Sequence, residues 1–300
     1  MSEKRFGRGL ALGLGAYLIW GSFPLIIRML AFASPFEVVV WRIVFGFALA
    51  AAIISAMRGW ASVRLVFQDR RSVIWILAAA LFILINWQVY VIGVNSHQVV
   101  QTALGYFINP LVTILLAVVF LGERLNRLQW AAVGFGLLAV VMLAIDYGHL
   151  PWIALTLAFS FGLYGLAKNK LGGKVSALNS FALESGFLLP LALGQALVVA
   201  QVDGGLSFGT VGLWGSVGLV FFGFMTAIPL IMFGAAAKHV PLRYIGFMQY
   251  LTPVLQFLIA LLLFHEPMSQ ARWLGFFMVW TGLALLSFDA IRTTRQNRIS

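Results

Sequence analysis

Ten long apolar runs, separated by short polar breaks, take up most of the chain: about 9–30, 35–57, 73–94, 98–120, 127–146, 149–167, 176–199, 212–235, 241–264 and 271–291. A helix needs roughly 20 residues to cross about 30 Å of hydrocarbon, and each run is near that length. The breaks are short, so consecutive helices are expected to pack as antiparallel hairpins. No stretch is long enough for a soluble domain. The pattern predicts an all-α integral membrane protein with ten transmembrane helices in one membrane domain.

Composition points the same way. The 300 residues are 62% hydrophobic and only 10% charged, with a mean hydropathy of +0.98. Soluble domains carry about 25% charged residues. That apolar surplus exceeds what one aqueous core holds, so lipid is the expected solvent. Cysteine is absent, which excludes a disulfide framework, a cysteine metal site and a thiol nucleophile.

The net charge of +11 would suggest nucleic acid in a soluble protein. Its placement argues for basic membrane loops instead. With both termini in the cytoplasm, 17 of the 20 Lys and Arg residues fall on the inner side. They are Lys4, Arg5 and Arg8; Arg58, Arg64, Arg70 and Arg71; Arg124 and Arg127; Lys168, Lys170 and Lys174; Lys238 and Arg243; Arg292, Arg295 and Arg298. Only Arg272 falls outside, while Arg28 and Arg42 lie within spans. This asymmetry predicts cytoplasmic termini, and no nucleic-acid partner. The basic start and Ala31-Phe32-Ala33 look like a cleaved leader. The apolar run between them exceeds the roughly 7–15 residues of a signal core and carries Arg28, so it reads as a retained first helix.

The chain also repeats itself. YLTPVLQFLIALLLFHEPMSQARW (250–273) aligns without a gap on FINPLVTILLAVVFLGERLNRLQW (107–130). Pro110 pairs with Pro253, Glu123 with Glu266, Trp130 with Trp273 and Asp146 with Asp289, each 143 residues apart. Two five-helix halves are expected, 1–147 and 148–300. Five is odd, so the second half enters the membrane inverted. Inverted repeats with interrupted helices are a transporter arrangement, with the site near the midplane at the repeat interface.

NWQVYVIGVNSHQVVQTALGYFINPLVTILLAVVFLGERLNRLQW (86–130) resembles the RarD branch of the EamA-type drug/metabolite transporters. So do AYLIWGSFPLIIRML (16–30), SFGLYGLAKNKLG (160–172) and GFMQYLTPVLQFLIALLLFHEP (246–267). GYFINP, LGER and QYLTP stand in the family's order, and the resemblance covers nearly the whole chain. It implies a ten-helix bundle of two inverted repeats around a central substrate cavity, in a family whose members export amino acids, metabolites or drugs.

Polar residues inside the apolar runs are the candidate site. Pro110 leaves the Tyr106 carbonyl without its usual donor, and Asn109 adds an amide that hydrocarbon cannot solvate. Gln98, Gln101 and Asn109 share roughly one helix face; Gln249, Thr252 and Gln256 share another. The two faces are expected to meet across the cavity, with Pro110 and Pro253 breaking their helices so that the halves can rock. The other reading is interhelical hydrogen bonding. The expected substrate-binding set is Trp20, Arg42, Asn86, Tyr90, Gln101, Tyr106, Asn109, Tyr164, Gln249, Tyr250 and Gln256.

Arg42 lies about two turns, roughly 10 Å, inside helix 2. It either receives a substrate carboxylate or braces the bundle. Glu184, about two turns inside helix 7, is a possible coupling group or a paired structural carboxylate. Glu37 and Arg28 are expected to pair near the outer surface. Glu123 and Glu266 sit at helix ends, where a structural role is expected.

The function expected is a secondary transporter of small amphipathic metabolites or drugs, working by alternating access and exporting. An uptake or facilitated-diffusion carrier is the alternative. No GxxxxGK[ST] phosphate loop occurs, so ATP hydrolysis by that route is not expected. His97, His149, His239 and His265 map to span ends or loops, and HExxH is absent, so an intramembrane enzyme lacks its machinery. No cofactor or metal is expected; the partners are a small-molecule substrate and the lipid bilayer.

Overall fold

The computed structural model describes residues 3–172, 175–202, 204–237, 240 and 248–296. Lys174, Lys238, Arg243 and Arg298 of the inner-side charge set lie outside the described residues, as do residues 241–247 at the start of the ninth run. The described residues form helices and turns, with no β-strand among them.

The first apolar run is broken. α1 (Glu3–Gly21) and α2 (Phe23–Met29) meet at a bend of 40°. Pro24 stands in the first turn of α2, where its missing N–H breaks no helical bond and its ring prevents α1 from continuing. The Ser22 hydroxyl at the bend donates to the Ile19 carbonyl at 2.8 Å.

α3 (Pro35–Ala56) starts on Ser34, whose hydroxyl accepts from the Glu37 amide. A short α4 (Trp60–Val66) fills the loop before α5 (Arg70–Asn95), which Asp69 caps. α6 (Val99–Leu121) ends at Gly122, whose φ of 69° suits glycine because a Cβ is disfavoured in the left-handed region. α7 (Arg127–Tyr147) opens with a reciprocal capping box between Asn126 and Gln129. There follow α8 (Trp152–Leu171), α9 (Ala177–Val202), α10 (Leu213–Ala237), α11 (Leu251–Leu258) with a π-helical extension (Ile259–Leu263), and α12 (Gln270–Gln296).

Seven of these helices are long and apolar enough to cross a membrane, or eight if the bent α1–α2 pair is one span. That is fewer than the ten expected from the apolar runs. Lys168 and Asn169 dilute the end of α8, and the described helix Leu251–Leu263 is shorter than a full crossing. The molecule is a multi-pass, all-helical membrane protein.

Its exterior is apolar: Met29, Ile145 and Trp214 are 78%, 77% and 83% exposed. Large apolar side chains in such numbers on an outer surface imply lipid contact. The interior holds Ile43, Ile76, Leu104, Leu143, Leu157, Phe222 and Phe276, all fully buried.

α3 packs on α9 and α10; α5 packs on α8 and α9; α6 packs on α8 and α11. α1 packs on α10 and α11, and α7 on α12. Polar ties gather at the two ends of the bundle. At one end, here the upper, the turns around 30–37, 96–100, 146–150, 205–210 and 264–272 meet. At the lower end Asn126 meets Asp289, and Asn179 meets Ser62.

Close approach of α6 to α8 depends on one glycine. A Cβ at Gly105 would lie 2.7 Å from the Ala154 carbonyl oxygen and 2.9 Å from Leu157 Cβ. Backbone cannot yield as a flexible side chain can, so Gly105→Ala is expected to cost about 1–3 kcal/mol through forced separation of the pair. Equilibrium unfolding in mixed micelles measures this. Gly134→Ala, inside α7 where nothing lies within 4 Å of the added carbon, should not destabilise and should gain up to about 1 kcal/mol.

Candidate functional site

Arg42 is the most unusual side chain in the bundle. It is 4% exposed, and its guanidinium lies over three rings: Trp87 at 4.3 Å, Phe23 at 5.3 Å and Phe222 at 5.3 Å. Its Nε and Nη1 have no hydrogen-bond partner. Cation–π contacts of this kind contribute about 0.5–2 kcal/mol each. Removing an unpaired charge from water costs several kcal/mol even after relaxation. The rings hold the cation in place without supplying a counter-charge. Phe23 and Phe222 carry no sequence signal for this site. Their helical positions gave no sign of which rings converge on α3.

Beside it lies a polar cluster on α5, α6 and α8. Asn86 donates to the Leu157 carbonyl at 3.2 Å and to Ser160 Oγ at 3.1 Å, and accepts from Tyr106 Oη at 3.0 Å. Tyr90 and Tyr106 have ring centroids 5.8 Å apart, and the Tyr90 hydroxyl is buried without a partner. The structure therefore brings Arg42, Asn86, Tyr90 and Tyr106 into one neighbourhood: Arg42 lies over Trp87, next to Asn86 in the chain, Asn86 is bonded to Tyr106, and Tyr106 lies beside Tyr90.

The expected meeting of the α6 and α11 polar faces is not observed. Asn109 donates to the Ala158 carbonyl of α8 at 3.0 Å. Thr252 donates to the Tyr17 carbonyl at 2.9 Å, and Gln256 to the Trp20 carbonyl at 3.3 Å, both on α1. Each face is turned to the neighbouring helix in packing, whose carbonyls satisfy its donors. Gln101 bonds Gln98 within its own chain segment, although Gln101 Oε1 and Gln256 Oε1 remain buried and unpaired. Gln249 is exposed and Tyr250 half-buried in the turn before α11.

The prolines also differ from expectation. α6 continues through Pro110 as one helix. Pro253 occupies the first turn of α11, after the turn at Gln249 and Tyr250, where no helical bond is lost. Pro24 stands likewise in the first turn after the break at Ser22, so helix interruptions among the described residues precede Pro24 and Pro253 and not Pro110.

Glu184 is 2% exposed. It accepts from Lys168 Nζ at 2.7 Å, Ser180 Oγ at 2.6 Å and Tyr164 Oη at 3.3 Å. Lys168 and Tyr164 are one turn apart on α8, and Ser180 and Glu184 one turn apart on α9, so two i,i+4 pairs face each other. That spacing is legible in the sequence, but Lys168 lies past the end of the sixth apolar run, where it reads as a loop charge.

Glu37 and Arg28 do not pair with each other. Glu37 accepts from Trp41 Nε1 and from the Ser207 and Phe208 amides at 2.9 and 2.8 Å. Arg28 bonds His97 at 3.1 Å. Backbone donors of a distant loop captured Glu37, which sequence spacing does not reveal. A cleft of about 420 Å³ opens at this upper end, lined by Ala31, Ser34, Glu37, Asn95 and Ser207 among others; it is not at the midplane.

Glu266 caps α6: its two oxygens accept from the Val99 and Val100 amides at 2.7 and 2.8 Å. Burial pushes this carboxyl above its ordinary value, while the two amides, His97 and Arg272 pull it back. Glu123, its repeat partner, is exposed.

Two further ties were not foreseen. Asp146 accepts from Ser269 at 2.7 Å and from Arg272 at 2.9 Å. Asp289 accepts from Asn126 at 2.8 Å and from Gln129 at 2.9 Å. Residues 126, 129 and 146 stand 143 positions before 269, 272 and 289, so each segment's acid binds the other's helix cap. Asp289→Asn keeps one acceptor and loses the other. It is expected to cost about 1 kcal/mol, read as a lowered Tm in the same detergent.

Known proteins resemble this chain in sequence and fold. The pattern of the EamA-like transporter family matches residues 7–145. Protein RarD of Streptomyces exfoliatus is 43% identical over 297 residues, covering 99% of this chain and 93% of its own. An uncharacterized transporter of Pseudomonas aeruginosa is 38% identical, covering 99% and 98%. A solved crystal structure with 21% identity superposes with a TM-score of 0.60 over 95% of this chain and 98% of that one, which shows a common fold.

Proposed function

The chain belongs to the EamA-like transporter family, in its RarD-like branch, and from that premise we propose that it exports small amphipathic metabolites or drugs by alternating access. It is a membrane transporter that handles a small-molecule substrate in a lipid environment. The proposal adds a direction, a mechanism and an architecture. Two inverted five-helix halves, 1–147 and 148–300, cross the bacterial inner membrane ten times in all, with both termini in the cytoplasm. The halves rock about each other to expose an enclosed site to either side in turn.

The observation that carries this reading is the matched set of contacts 143 residues apart. The Asp146 tie at the upper end and the Asp289 tie at the lower end are the same interaction with the halves exchanged. Asn109 and Thr252, also 143 apart, each hold a carbonyl of the sixth or first run. The packing of α5 and α6 on α8 has its counterpart in α10 and α11 on α1. Equivalent ties at opposite ends are what inverted halves produce. The substrate locus proposed is the Arg42, Asn86, Tyr90 and Tyr106 neighbourhood, with Trp20, Tyr164 and Gln101 on the packed helices around it.

Two measurements test this. Purified protein in proteoliposomes, screened with amino acids, nicotinamide-like rings and phenicol drugs, should give saturable counterflow of at least one solute. Unsaturated conductance would indicate a pore, and a chemical product an enzyme; either result overturns the proposal. The cysteine-free sequence allows topology to be read directly. The thiol of Arg124→Cys should react with an impermeant maleimide only from the cytoplasmic side, and that of His149→Cys only from outside. Labelling of both from one side would refute the ten-span inverted arrangement.

A further inference from the structure

We infer that the transported class is a small organic monoanion, a carboxylate on a flat apolar body, held at Arg42. The inference rests on the transporter reading and extends it to the chemistry of the same site. Arg42 is a buried cation with unpaired Nε and Nη1. The buried carboxylates among the described residues are all engaged elsewhere: Glu37 by the Ser207 and Phe208 amides, Glu184 by Lys168, Glu266 by α6, and Asp289 by Asn126 and Gln129. No acid among the described residues neutralises the guanidinium, so an acid from outside is the missing partner.

The chemistry of the surroundings narrows the choice. The guanidinium lies among the rings of Trp87, Phe23 and Phe222, which offer apolar faces to a ligand body and no hydrogen-bond acceptor to compete for the cation. Tyr90 adds a buried hydroxyl with no partner, a second donor available to a carboxylate oxygen. Tyr106 already gives its proton to Asn86 and is placed to shape the pocket. One cation and one free hydroxyl balance one negative charge. Phosphate or a dicarboxylate would bring a second charge with nothing to neutralise it, and an unpaired buried charge is costly. Arg42 is 4% exposed in this structure, too little for a ring-sized ligand to enter, so the ligand reaches it when the helices around α3 part.

The test uses the full chain in lipid nanodiscs with three probe pairs: benzoate and benzamide, nicotinate and nicotinamide, hydrocinnamate and hydrocinnamamide. At least one carboxylate should raise Tm saturably and bind tenfold or more tighter than its amide. Tyr90→Phe should weaken that carboxylate and leave its amide unchanged. Arg42→Lys keeps the charge but loses the planar donors, and should reduce the preference. Comparison within the wild type needs no variant to fold. Equal affinity for acid and amide, no binding of any carboxylate, or a preference unaltered in Arg42→Lys overturns the inference. Counterflow separates it from the transporter reading. Saturable exchange of a neutral or cationic solute that no carboxylate inhibits sinks the anion alone. Carboxylates that bind at Arg42 in a protein exchanging nothing sink the transporter alone.

Discussion

Lys168→Met should lower the stability of the folded chain by about 3 kcal/mol, because it leaves the Glu184 carboxylate buried without its cation. Removing one partner of a buried ion pair generally costs about 3–5 kcal/mol. The low end applies here for two reasons. The Lys168 side chain is 29% exposed, so solvent already screens part of the attraction. Ser180 and Tyr164 also continue to donate to Glu184. Lys168→Met combined with Glu184→Gln removes the stranded charge and should recover most of the loss, since replacing both members of such a pair is often neutral. Equilibrium unfolding of the single and double variants decides this. A single variant as stable as wild type would show that the Lys168–Glu184 pair adds nothing to the stability of the fold.

Glu266→Ala should cost a comparable amount, about 3 kcal/mol, and should act at a distance in sequence. Each hydrogen bond to a charged group contributes about 1.5–3 kcal/mol, and Glu266 makes two, at 2.7 and 2.8 Å, to the Val99 and Val100 amides. Those amides begin α6, where orphan donors and the positive end of the helix dipole favour a carboxylate. Burial opposes the charge and reduces the net gain. Hydrogen exchange should rise first at Val99, Val100 and Gln101, before α12 loosens. Glu266→Gln retains one acceptor but turns an N–H toward the other amide, so an intermediate loss is expected. If α12 exchanged first instead, the bond would be holding the second half and not capping the first.

Hydropathy alone gave most of the helix positions. The runs at 35–57, 98–120 and 127–146 match α3, α6 and α7 to within a few residues, because the apolar side chains and the cap residues Ser34, Gly122 and Asn126 change at the same places. The break at Ser22 was not read, since Gly21-Ser22-Phe23-Pro24 lies within one unbroken apolar run. Burial depth was also legible: Arg42, Asn86, Gln101 and Glu184 are all buried. The partners were not. A polar residue inside a helix declares that it needs a donor or acceptor, but its period does not name the neighbouring helix that supplies one. Asn109 therefore read as a wall of a cavity and is found tied to a carbonyl of α8. The mutual ties of Asp146 and Asp289 were half visible. Their shared offset was plain, but Asn126 and Gln129 bear little likeness to Ser269 and Arg272, so nothing marked those residues as equivalent donors.

That unlikeness bears on ancestry. Two identical half-length subunits, each lending its acid to the cap of its twin, would build both ties from a single gene, as a self-pairing dimer. In such a dimer the two ties must be chemically alike. Here one is neutral donors on an acid and the other includes an arginine. If the halves arose from such a dimer, a difference of that kind became heritable once duplication gave each copy its own codons. Thereafter each acid drifts under constraint from the opposite copy's cap and not from its own, so substitutions at 146 and at 269 or 272 should co-vary among descendants, independently of those at 289 and at 126 or 129.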